Sequence, residues 1–85
     1  MNYLLKGMES EERVDLLLAL TSIRSEATIK ALKMYLVQGC SESEICAARG
    51  ITQSNFNRDL SKLNAVAGTV EQIKEIDWAR FKSEK

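Results

Sequence analysis

The side chains with most chemistry to offer lie in one short run, Thr52-Gln53-Ser54-Asn55-Phe56-Asn57-Arg58. On a helix Gln53 and Asn57 fall about one turn apart on one face. A carboxamide donates and accepts together, which matches an adenine edge, while Arg58 suits a guanine edge or a phosphate. Ser61 and Lys62 extend this polar face by a further turn, and Lys62 suits a phosphate. Thr52, Ser41 and Ser43 stand at expected helix starts, where hydroxyls and amides can hold phosphate oxygens. The alternative for each of these residues is an ordinary solvated polar side chain.

Catalytic chemistry has less to work with. The chain has no His, which removes a His general base, a Ser-His or Cys-His nucleophile pair and a His metal ligand. Cys40 and Cys46 are its two cysteines, and two thiols alone cannot complete a four-ligand zinc site. A disulfide between them is the other use, which a reducing cytosol disfavours. No cofactor, no metal, no small-molecule substrate and no enzymatic activity are expected.

A polar run acts only if helices hold it out. The chain has 85 residues, 45% hydrophobic and 28% charged, with no Pro and four Gly, as expected of one all-α domain with short connections. Between Ser10 and Leu20 the positions Val14, Leu17, Leu18 and Leu20 recur at helical spacing, and Leu16 adds a second apolar face. Ser25 can cap the next helix, with Ile29, Leu32 and Leu36 inward, Tyr35 alongside and Gly39 after its end. Ser41-Glu42-Ser43-Glu44 reads as a capping box opening a short helix that stops at Gly50. Thr52 caps a fourth helix, with Phe56, Leu60, Leu63 and Val66 or Ala67 inward, closed by Gly68. Thr69-Val70-Glu71-Gln72 repeats the box and opens a fifth, with Val70, Ile73 and Ile76 inside and Trp78 or Phe81 near its end. The expected fold is a compact bundle of about five short helices.

Within it, Glu42–Leu63 fits the needs of a helix-turn-helix, placed at about residues 42–63. Ile45 packs inward, Cys46 is small where the helices approach, and Gly50 tolerates positive φ in the turn. Ile51 is an apolar anchor, Thr52 an N-cap, and Phe56, Leu60 and Leu63 supply the buried side of the second helix. Arg49 departs from the pattern, in a place usually aliphatic; its stem can cover the core while the guanidinium reaches outward, towards a phosphate. The plainer alternative is an αα-hairpin with no DNA contact.

Charge adds a constraint. Lys plus Arg and Asp plus Glu are 12 each, and within 42–63 Arg49, Arg58 and Lys62 balance Glu42, Glu44 and Asp59. The front, residues 1–23, is mildly acidic and the middle, residues 24–63, mildly basic. With so few cations a monomer should bind DNA weakly, so useful affinity requires several copies together. Leu5, Leu16, Leu17 and Leu20 at the front, and Trp78 and Phe81 at the back, are the apolar residues that could pack on a neighbour; 1–20 and 69–85 are the candidate oligomerisation helices. The uncharged stretch Met34–Ser41 is far shorter than the roughly 20 residues of a bilayer span. Met1-Asn2-Tyr3-Leu4-Leu5-Lys6 lacks the basic-then-apolar order of a secretory signal. A cytoplasmic protein without membrane contact is expected.

The run Leu17-Leu18-Ala19-Leu20-Thr21-Ser22-Ile23-Arg24-Ser25-Glu26 and the stretch Ala31-Leu32-Lys33-Met34-Tyr35-Leu36-Val37-Gln38-Gly39 resemble the adhesin biosynthesis transcription regulators of enteric bacteria, of the Pap-pilus regulator type. The likeness continues through Glu44-Ile45-Cys46, Phe56, Leu60 and Leu63-Asn64-Ala65, covering roughly Met8 to Ile73. It implies an oligomerising helix-turn-helix regulator of a fimbrial (adhesin) operon that binds A·T-rich promoter DNA in the bacterial cytoplasm, associated with the nucleoid. By position, Glu42–Cys46 would be the helix leading to DNA and Thr52–Arg58 the reading helix. Glu42 stands where the pilus regulator has a basic residue. A helical adaptor or anti-activator that contacts protein instead of DNA is the alternative function.

Overall fold

Each helix of this chain begins at a hydroxyl. In a computed structural model, which describes residues 2–83 and their side chains as far as Phe81, the order is α1 (Glu11–Ala19), α2 (Glu26–Leu36), α3 (Glu42–Arg49) and α4 (Gln53–Ser83). Ser10, Ser25 and Ser41 accept from the amides of Arg13, Thr28 and Glu44 at 3.1, 3.5 and 3.3 Å. Thr52 accepts from the amide of Asn55 at 3.1 Å. Such caps satisfy amides that have no partner within the helix, each worth about 1 kcal/mol. No strand occurs among the described residues.

The core gathers Val14, Leu17 and Leu18 of α1, Ala31, Leu32 and Leu36 of α2, Ile45 of α3, and Phe56, Leu63 and Ala67 of α4. Tyr35 meets Phe56 edge to face, with ring centroids 5.5 Å apart and planes at 72°. An N-terminal arm closes the other side, with Leu4 buried beneath it. The amides of Tyr3 and Leu4 both donate to Asn64 Oδ1 at 2.7 and 3.2 Å, and those of Gly7 and Glu9 to the carbonyls of Tyr35 and Leu36, each at 3.0 Å. Residues 2–9 are thus a strap over α2 and α4, where the sequence suggested the start of an oligomerisation helix.

The main correction is in the helix count. There are four helices, and the last is 31 residues long, where two shorter ones were expected to meet at Gly68. Gly68 keeps helical dihedrals; the positive-φ glycines are Gly7, Gly39 and Gly50. A Cβ on Gly68 would stand 2.7 Å from Tyr3 Cε2, so the glycine serves a close approach of the arm's ring. Thr69, expected as a cap, donates its hydroxyl to the Ala65 carbonyl at 3.2 Å within the continuing helix. Beyond Val70 the helix leaves the body and the molecule extends 53 Å against 23 and 22 Å. Ile73 and Ile76, expected inside, are exposed there.

Candidate nucleic-acid interface

Between α3 and α4 the chain turns in three residues. Gly50, at φ +66°, takes the left-handed conformation that ends α3, and its amide and that of Ile51 donate to the Cys46 carbonyl at 3.0 and 3.3 Å. Only glycine adopts this conformation at little cost. Ile51 is half-buried and Thr52 starts α4 at once. Ile45, Phe56 and Leu63 are fully buried, with Cys46 and Leu60 half-buried beside them. The buried side of the hairpin is as its spacing indicated.

The opposite side carries the residues singled out above. Gln53, Ser54, Asn57, Arg58, Ser61 and Lys62 are all exposed on the first three turns of α4. Thr52 and Ser43 are exposed and Ser41 half-buried; the Thr52 and Ser41 oxygens accept from their own helices, which leaves each hydroxyl proton for another acceptor. Arg49 lies over α2, its Nε 3.4 Å from Met34 Sδ. Arg49 stays exposed, and Met34, which it meets, is the residue packed against the core.

Asp59 differs from the rest. It is 8% exposed, with Oδ1 3.5 Å from Arg58 Nε. A carboxylate that would repel a polyanion on the polar face is instead turned to the edge of the core. That tilts the electrostatics of the exposed strip towards Arg58 and Lys62.

Two features beside α4 were not found from sequence. Asn2 on the arm shares a cleft of about 180 Å³ with Asn57, Leu60, Ser61 and Asn64, because the strap is laid along the polar face. Arg24, after α1, lies near Arg58 and Lys62 across a second notch; the basic middle of the chain was the signal that could have found it. Among the apolar residues proposed for self-association, Leu17 is only 4% exposed and belongs to the core. Leu5, Leu16, Leu20, Trp78 and Phe81 are exposed. Trp78 and Phe81 stack, with ring centroids 6.1 Å apart and planes at 13°. No cluster of metal-ligating side chains occurs among the described residues, and no helix is long and apolar enough to cross a membrane.

This all-helical chain belongs to a family of transcription regulators, not of enzymes: residues 1–76 match the adhesin biosynthesis transcription regulatory protein family, PapB. Among its relatives, the major pilus subunit operon regulatory protein PapB of Escherichia coli is 39% identical over 67 residues, covering 75% of this chain and 64% of that protein. The F1845 adhesin operon regulatory protein of the same species is 30% identical over 69 residues, covering 81% of each chain. The crystal structure of E. coli FocB superposes with a TM-score of 0.81 at 32% identity, over 86% of this chain and 83% of that one.

Proposed function

We propose that this protein regulates transcription of a fimbrial (adhesin) operon by binding A·T-rich promoter DNA as an oligomer, through a helix-turn-helix made by α3 and the first turns of α4. One observation carries the reading: the hydrogen-bonding residues Gln53, Asn57, Arg58 and Ser61 are exposed together on a helix aimed by the Gly50 turn, while Asp59 is withdrawn. In this reading Gln53 and Asn57 meet base edges, and Arg58, Lys62, Ser41, Ser43, Thr52 and Arg49 meet phosphates. The protein acts in the cytoplasm, associated with the nucleoid.

Self-association is part of the proposal, because the α3–α4 segment carries no net positive charge and linked sites gain about 10²–10⁴-fold in affinity. Leu16 and Leu20 on α1, Leu5 on the arm and the Trp78–Phe81 pair on α4 are the surfaces for it. Gel shifts with an A·T-rich duplex test the reading. Wild type is expected to bind, with Arg58→Ala and Asn57→Ala weaker. Equal binding by all three clears the two residues of their roles. Binding by none would favour the protein-contacting adaptor.

A further inference from the structure

The face of α4 that the body covers does not stop where the body stops. Phe81 and Trp78 lie eighteen residues beyond Leu63 and Leu60, about five full turns, and so stand in line with them along the helix. Leu63 is fully buried and Leu60 half-buried, whereas Phe81 and Trp78 are exposed and stacked on one another. Ile73 and Ile76 widen the apolar face on one side. The groove beside the two rings is edged by Glu71, Lys74, Glu75 and Asp77. From Asp77 onward this surface lies beyond the residues that match the family.

We propose that this overhang pairs with the overhang of a second copy, antiparallel, around a two-fold axis between positions 78 and 79; the inference rests on the self-association proposed above and names its surface. Charge selects both the occupant and the direction. The first half of the overhang is acidic, with Glu71, Glu75 and Asp77 against Lys74. The second half is basic, with Arg80 and, in sequence, Lys82. A parallel pair would set acidic half on acidic half. An antiparallel pair sets each acidic half on the basic half of the other copy, and a two-fold axis makes that match twice.

In this register Asp77 comes opposite Arg80 of the second copy, and Ile76 opposite its Phe81. Space allows the pairing. Val70 is the last residue of α4 packed against the core, and α4 runs on to Ser83. Ser83 then lies opposite Lys74 of the second copy, short of its body, so the two bodies sit at opposite ends of the pair. Apolar rings between charged edges are the arrangement by which paired helices bury a seam and fix their orientation. Leu16 and Leu20 of α1 are left to a separate contact. The overlap is only about three turns, so the pair should form and dissociate with concentration.

Sedimentation of the full chain over a concentration series, without DNA, is the test. Asp77→Arg and Arg80→Asp, both at exposed positions, each set like charges opposite one another at both related contacts. Each is expected to weaken the dimer at least about tenfold, with circular dichroism confirming the fold. Mixing the two single variants, or joining both changes in one chain, restores opposite charges and should restore dimers to near the wild-type level. Small-angle scattering should give a dimer well longer than the 53 Å of one copy. Dimers indifferent to either single change, or not rescued by the combination, overturn the overhang pairing and leave self-association to α1. A dimer no longer than one copy overturns it equally. A wild type that stays monomeric at every concentration overturns the pairing and self-association together.

Discussion

The two halves of α4 are one helix under two regimes. From Phe56 to Val70 its inward positions are buried or half-buried, closed by α1, α2, α3 and the strap. From Ile73 to Phe81 the large apolar side chains Ile73, Ile76, Trp78 and Phe81 are all more than half exposed. Sequence pattern treats these stretches alike, since both offer apolar residues at helical spacing. What separates them is whether the rest of the chain can reach, and it stops reaching at about Glu71. Apolar residues in the first half specify the fold; in the second they are surface, with consequences for association.

Single truncations should divide the helix sharply. Phe56→Ala removes a fully buried ring that meets Tyr35 edge to face and is expected to cost about 3–5 kcal/mol. For a small domain that is much of the total stability. Phe81→Ala or Trp78→Ala, at residues 66% and 62% exposed, should change the folding free energy by less than about 0.5 kcal/mol. Chemical denaturation of the monomer measures both. Sedimentation should show the reverse order, with the double Trp78→Ala, Phe81→Ala variant losing self-association. A large folding effect from Phe81→Ala would mean the overhang is covered within the monomer, which would end the comparison.

The junction can be tested next, at Gly68. Alanine is favoured over glycine in a helix interior by about 1 kcal/mol, yet its Cβ would meet the Tyr3 ring at 2.7–3.3 Å. Gly68→Ala is expected to destabilise the wild type by about 1 kcal/mol, as the ring is displaced and the strap loosened. In a Tyr3→Ala background the same change should stabilise by roughly the helix-propensity gain. The sign reversal in a thermal-melt cycle is the diagnostic. The same sign in both backgrounds would detach Gly68 from the strap.

Gly68 also marks the limit of what the sequence discloses. Ser25, Ser41 and Thr52 were legible as caps because a cap is decided within three residues of itself. Gly50 was legible because it is followed at once by an apolar anchor and a new cap. Gly68-Thr69 has the same local appearance, but its outcome depends on Tyr3 at the far end of the chain, which no local rule can weigh. The inward turn of Asp59 was hidden for a related reason, since its position lies at the edge of the buried stripe where spacing assigns neither side. The polar strip was legible as a set because period alone separates it from Phe56 and Leu63. The notch beside it was not, because Arg24 joins it through the packing of α1 and α2.

A smaller effect distinguishes the edge of the body from the overhang. Lys33 of α2 reaches Asp15 of α1, Nζ to Oδ1 at 2.7 Å, holding together two of the helices that cover the first half of α4. The hydrogen bond to the Asp15 carboxylate raises the Lys33 pKa above its ordinary 10.5. A cation whose pKa is raised on folding adds stability that is fully present below its unfolded value and is lost as pH climbs through the folded one. Asp15→Asn is therefore expected to cost a few tenths of a kcal/mol at neutral pH, the range of a partly exposed pair. Above pH 10.5 the gap between variant and wild type should close. Denaturation curves at pH 7 and above pH 10.5 would show it, and the overhang variants Trp78→Ala and Phe81→Ala should show no such pH-dependent gap over the same range. A constant difference for Asp15→Asn would mean that the contact acts through packing of the Lys33 stem, not through its charge.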